Sequence, residues 1–146
     1  MRITNKNLLN GLSILILALI LQACAHHHHG TETTSDNAVS KLTLDNGKKW
    51  HMDSHTRKTL ASMKGKVNAL DADTATIDAR KSLGAALNQD LETLISGCTM
   101  EGDAHNALHE FLVPFMPVVQ QLEKTGDQQA LQQSQAMLNG YANFFH

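Results

Sequence analysis

From Asp53 to the C-terminus apolar residues recur at spacings of three and four, and this recurrence restricts the chain to helices packed side by side. The first stripe is Thr56, Leu60, Met63, Val67 and Leu70, behind Asp53 as its N-cap. Asp71-Ala72-Asp73-Thr74 ends it and opens a second, which runs Ile77, Leu83, Leu87, Leu91, Leu94 and on to Cys98, with Gly97 placed to stop it. A third begins near Asp103 and carries Ala104, Leu108, Phe111, Phe115, Val118 and Leu122. Pro114 and Pro117 lie inside it, where they free the carbonyls of Glu110 and Val113 and predict a kink. After the Thr125-Gly126-Asp127 turn, Leu131, Met137, Leu138, Tyr141, Phe144 and Phe145 mark a fourth helix to the end of the chain. Four helices on short loops predict an all-α fold: an antiparallel up-down-up-down four-helix bundle over 53–146.

Upstream of the bundle, residues 42–52 alternate apolar and polar around Asn46-Gly47, the strongest short turn signal, and predict a small hairpin or tight loop. Trp50 is expected to cover the end of the bundle. The first 23 residues belong to no fold. Arg2 and Lys6 precede an apolar run from Gly11 to Leu21, shorter than the roughly 20 residues that span a bilayer, and Leu21-Gln22-Ala23-Cys24 closes it. The run is a secretion signal. Leu21, Ala23 and Cys24 resemble the bacterial lipoprotein signal, in which the cysteine is lipidated and becomes the first residue of the mature protein. Ala25, where Asp would retain the protein at the inner membrane, implies by the same resemblance an anchor in the outer membrane, facing the periplasm. A plain secreted protein with an incidental cysteine is the alternative.

Residues 24–41 then form a lipidated cysteine and a polar tether without hydrophobic period. His26 to His29 sit in it, four imidazoles able to hold a divalent ion loosely. An added purification tag is the alternative, at odds with its place directly behind a lipidation signal. Once Arg2 and Lys6 leave with the signal, the acidic excess of two over the whole chain becomes four. No basic stripe remains, which argues against nucleic acid as a partner. Cys98 is then the only thiol. Without an internal partner it is an apolar filler, an intermolecular hazard or a ligand.

The densest chemistry of the folded part is Cys98-Thr99-Met100-Glu101-Gly102-Asp103-Ala104-His105-Asn106-Ala107-Leu108-His109. His105 and His109, at i and i+4, leave one helix face at a spacing that lets two imidazoles share an ion. Thiolate and thioether are soft donors that favour Cu(I), and thiolate with imidazole also suits zinc. The antiparallel bundle brings the starts of helices one and three, the loop between helices two and three and the finish of helix four to one end. That end collects His51, Met52, His55, Cys98, Met100, His105, His109 and His146, every histidine beyond the tether. Met116 continues the stripe of His105, His109 and Leu112 and is read as filling the kinked core.

From Glu110 to Phe145 the Leu112-to-Leu122 pattern, the Gly126 turn, the Gln- and Ala-rich start of helix four and Asn139-Gly140-Tyr141 resemble the small soluble periplasmic b-type cytochromes. The resemblance implies a four-helix bundle, with haem held by a histidine after the Asn-Ala-Tyr segment and a methionine near the start of helix one. The position of that histidine is Ala142 here, and Met52 is the loose counterpart of the methionine. Cys98-Thr99-Met100, Gly102, His105, Leu108-His109 and Asn46-Gly47-Lys48-Lys49-Trp50 also look like segments of small exported proteins of marine bacteria, a resemblance that implies no activity.

Three functions follow as expectations. The first is a lipoprotein that sequesters or delivers a metal ion, copper before zinc, on Cys98, His105 and His109, completed by Met100 or His55, with His51 and His146 as outlying candidates. The second is a haem bundle with Met52 or Met100 opposite His55, His105 or His109. The third is an envelope adaptor without an ion. A Cys98 nucleophile with a histidine base is formally available, but no oxyanion-hole or orienting residue accompanies it, so no enzymatic activity is expected.

Overall fold

The computed structural model describes residues 41–146; the secretion signal, Cys24 and the His26–His29 tract lie outside them. The described residues are all-helical, with four α-helices: α1 (Ser54–Asn68), α2 (Ile77–Gly97), α3 (Gly102–Thr125) and α4 (Gln128–Gly140). No helix among them is long and apolar enough to cross a membrane.

Three of the helices start on side chains that accept from the backbone N–H three residues on: Asp53 from Thr56, Thr76 from Ala79 and Asp127 from Ala130. α3 ends at Gly126, whose φ of 64° places it in the left-handed region while its N–H donates to the Leu122 carbonyl. Arg80 at the start of α2 donates through Nε to the Gly126 carbonyl at 2.6 Å, tying that turn to a neighbouring helix. The C-terminal carbonyls of α1 are met from outside: Gln135 Nε2 donates to Val67 and Leu70 at 2.9 and 2.8 Å.

Each helix packs on its neighbour in the chain and α1 packs on α4. The shared core is made by the expected stripes: Leu60, Met63 and Val67 of α1, Leu87, Leu91 and Leu94 of α2, Phe111, Phe115 and Leu122 of α3, and Leu131, Met137 and Leu138 of α4. Burial of each such side chain contributes roughly 1.5–3 kcal/mol. Phe111 and Phe115 stack with ring centroids 5.4 Å apart, and Tyr141 closes on Phe111 at 6.1 Å. α2 and α3 form the most extensive interface. It is drawn tight at Gly84, which lies directly on the backbone of Leu122 and Glu123.

α3 holds Pro114 and Pro117 inside one helix, where the sequence places them. The structure departs from the sequence expectations at three places. Ile77, expected in the core, is 56 % exposed because it is the first residue of α2 and precedes the buried stripe. The fourth helix stops at Gly140, and a 3-10 turn (Tyr141–Asn143) follows. The last residues pair with the segment before α1: Trp50 N–H donates to Phe144, His146 N–H to Trp50 and Met52 N–H to His146. In the remaining segment, Asp45 and Lys48 exchange both backbone hydrogen bonds around Asn46 and Gly47, with φ of 49° and 83°, a two-residue reversal. Trp50 is half-buried against the core, its indole N–H on the Thr43 carbonyl at 2.7 Å.

Candidate metal centre

The loop from Cys98 to Glu101 is fixed from the start of α1. Asp53 Oδ1 accepts the Thr56 N–H at 2.6 Å, and Oδ2 accepts the Thr99 N–H at 2.7 Å and the Thr99 hydroxyl at 3.1 Å. Burial pushes the Asp53 carboxyl up, but these hydrogen bonds to its charged form outweigh burial and hold its pKa at about 2, below the ordinary 3.8. The Thr56 hydroxyl, fully buried, has no partner of hydrogen-bond geometry, so the two backbone N–H groups and the Thr99 hydroxyl carry the effect. One carboxylate thus caps α1 and anchors the α2–α3 loop.

Cys98 is the C-cap of α2, in extended backbone at φ −67° and ψ 125°, and its half-buried side chain meets α3. Its Sγ lies 3.9 Å from Nδ1 of His105. His109, one turn further along α3, places its ring centroid 4.5 Å from that of His105 at a 52° tilt. These three side chains share a pocket of about 110 Å³ between α2 and α3 with Met116 and with Leu94, Ile95, Leu108, Leu112 and Val113. The wall is apolar and contains no carboxylate. Cys98, His105 and His109, singled out by the sequence, therefore do meet.

The Cys98–His105 separation has a chemical meaning. Ligand bonds of about 2.3 Å to sulfur and about 2.05 Å to nitrogen put two donors of one ion about 3.6 Å apart at a tetrahedral angle and about 3.8 Å apart at a trigonal one. The observed 3.9 Å nearly matches the trigonal span. No group of three or more His, Cys, Asp and Glu side chains among the described residues is already disposed around a common point. The pocket holds one preset pair of donors, with His109 beside it.

The other candidates are elsewhere. Met100 is half-buried against the core and does not line the pocket. His55 lies against Gly97 with its Nε2 2.9 Å from the Thr93 carbonyl, an acceptor, so Nε2 carries the proton in that contact. His51 and His146 form a pair of their own, edge to face with centroids 5.4 Å apart, held together by the pairing of Trp50 with Phe145. Met52, 1 % exposed, is core. The histidines of the described residues are thus sorted into three groups. Met116, assigned to the core by its place on the stripe of His105, His109 and Leu112, packs against the core and also lines the far end of the pocket.

Comparison with protein families, with characterised proteins and with solved structures finds no match for this chain.

Proposed function

We propose that this chain is an envelope lipoprotein that holds a soft or borderline metal ion, copper before zinc, for sequestration or delivery. The site is the α2–α3 pocket, with Cys98, His105 and His109 as ligands. The observation that carries the reading is the Cys98 Sγ–His105 Nδ1 separation of 3.9 Å inside a pocket that His109 also lines. Thiolate with imidazoles is a donor set that both Cu(I) and Zn(II) accept. His109 is exposed and free to turn toward the pair when an ion arrives. The lipid on Cys24 anchors the protein to the outer membrane on the periplasmic side, and the His26–His29 tract adds loose capture of ions.

The proposed frame is an antiparallel up-down-up-down bundle. Connections confined to residues 69–76, 98–101 and 126–127 support it, since short links favour antiparallel neighbours. So does the contact of the first helix with the last. Paired spin labels on α1 and α4 read its direction: label separations that stay level along antiparallel registers agree with it, and separations that stay level along parallel registers overturn it.

The function is tested on the whole chain with His26 to His29 replaced by alanine, titrated with Cu(I) and Zn(II) against chromophoric chelators. One equivalent of Cu(I), lost together with Zn(II) binding in a Cys98→Ala, His105→Ala double variant, is the expected result. Binding of neither ion more tightly than the double variant does would refute the reading.

A further inference from the structure

His51 and His146 do not line the α2–α3 pocket, and the backbone sets them side by side. His146 donates its N–H to the Trp50 carbonyl at 3.0 Å and accepts the Met52 N–H at 3.0 Å, so the two residues that flank His51 hold both backbone groups of His146. This is the bond pattern of a parallel pair in register, one residue on from the Trp50–Phe145 bridge. Such neighbours stand about 4.8 Å apart and point their side chains the same way. Trp50, Met52 and Phe145 turn inward, half-buried or buried, while His51 and His146 are both exposed.

The ring centroids of His51 and His146 are 5.4 Å apart. Metal–nitrogen bonds of about 2.05 Å put the centroids of two imidazoles on one ion roughly 5.1 Å apart at a tetrahedral angle and roughly 5.5 Å apart at a trigonal one. The observed span lies between the two. The rings meet edge to face at 63°. The terminal torsion of histidine is broad, so each exposed ring can turn a nitrogen to a common point over a fixed backbone. Neutral imidazole suits zinc, nickel and copper, and among these divalent ions Cu(II) is held most tightly. Water completes the coordination of an exposed ion. Two protein donors hold an ion more loosely than three, so the pair fills at higher ion concentrations than the pocket.

We propose that His51 and His146 are the two protein ligands of a second, open site for a divalent ion, Cu(II) foremost, and that the ion fastens the segment before α1 to the segment after α4. The pair shares no residue with the pocket, and neither site needs the other. Because His51 and His146 are some ninety residues apart in the chain, an unfolded chain offers the ion one imidazole at a time. The ion therefore favours the folded form and stabilises it.

The test uses the whole chain with His26 to His29, Cys98 and His105 replaced by alanine, which silences the tether and the pocket. Cu(II) is the probe; electron paramagnetic resonance counts its nitrogen ligands, and urea unfolding followed by circular dichroism reads stability. In this parent, free Cu(II) at about 100 times its dissociation constant should raise the folding equilibrium constant about a hundredfold, with two imidazole nitrogens on the ion. His51→Ala and His146→Ala should each abolish the rise and leave one nitrogen. Both side chains are exposed, so these variants should fold, which unfolding without the ion verifies. His55→Ala should keep both readings. A parent without the rise, or a rise that survives either substitution, would overturn the proposal and leave the reading of the pocket standing. So would a rise that grows with protein concentration, since the ion would then bridge two chains.

Discussion

Adding one methyl group should have opposite effects at two helical glycines. Gly65, exposed in α1, has nothing within 4 Å of where a Cβ would stand. Gly65→Ala should therefore collect the helix-propensity gain of about 0.5–1 kcal/mol and raise the urea midpoint by a few tenths molar. Gly84 in α2 would gain as much in propensity. Its Cβ, however, would fall on the backbone of Glu123 and 2.8 Å from the carbonyl carbon of Leu122, where ordinary contact begins at 3.4 Å. Those atoms are backbone of the last turn of α3 and have no rotamer to change, so the two helices must part. Overpacking costs about 1–3 kcal/mol, and contact with rigid backbone puts this case at the upper end. With the propensity gain subtracted, Gly84→Ala should destabilise by about 2 kcal/mol, a fall of about 1 M in the urea midpoint at an ordinary slope. Far-UV circular dichroism against urea reads both variants. A midpoint for Gly84→Ala at or above that of the parent would refute the claim that α2 and α3 meet backbone to backbone at this point.

Gly97→Ala sets a methyl against the His55 ring, which is a movable side chain, so it should cost less than Gly84→Ala, about 1 kcal/mol, and expel the ring from the Thr93 carbonyl; the His55 ring resonances in proton NMR should move toward those of a solvated imidazole. Asp53→Ala, which removes the α1 cap and the Thr99 anchor together, should cost about 0.5–2 kcal/mol. Because the folded pKa of Asp53, about 2, lies below its ordinary 3.8, its charge stabilises the fold fully above that ordinary value and stops doing so as pH falls toward 2. The stability advantage of the parent over Asp53→Asn, measured in urea at about pH 6, should shrink steadily below about pH 4 and vanish by about pH 2; an advantage that survives unchanged at the low end would show that the carboxylate charge contributes nothing.

Much of the fold was legible because it is local. The stripes of Leu60, Met63 and Val67, of Leu87, Leu91 and Leu94, and of Phe111, Phe115 and Leu122 are buried as their spacing implies. Asp53 and Gly126 act at helix ends as their chemistry suggests. What was not legible depends on partners far away in the chain. Phe144 and Phe145 continue a helical pattern, but Trp50 competes for their backbone from some ninety residues away, and a parallel pairing leaves no periodic trace. The close approach at Gly84 had only the signal of a glycine inside a helical stripe. Met116 packs against the core as its place on the α3 stripe implies, and also lines the pocket, whereas Met100, nearer Cys98 in sequence, does not line it.

The candidate site turns on the difference between sharing an end and sharing a site. Short links and the Asp53–Thr99 contact bring the start of α1 to the α2–α3 loop, and Met52 bonds to His146, so the histidine-rich segments do converge. Convergence of backbones leaves side-chain direction undetermined. His55 is committed to a carbonyl of α2, and His51 and His146 face each other. The donors that remain are His105 and His109 of α3 and Cys98 at the C-cap of α2. A site of that composition depends on a single helix–helix interface, the one that Gly84 draws tight. Gly84 meets α3 at Leu122 and Glu123, roughly 20 Å along α2 from Cys98, so Gly84→Ala should lower stability while leaving the Cu(I) affinity of the folded protein close to that of the parent, and Gly65→Ala, on a helix that supplies no donor, should raise stability and leave the affinity unchanged.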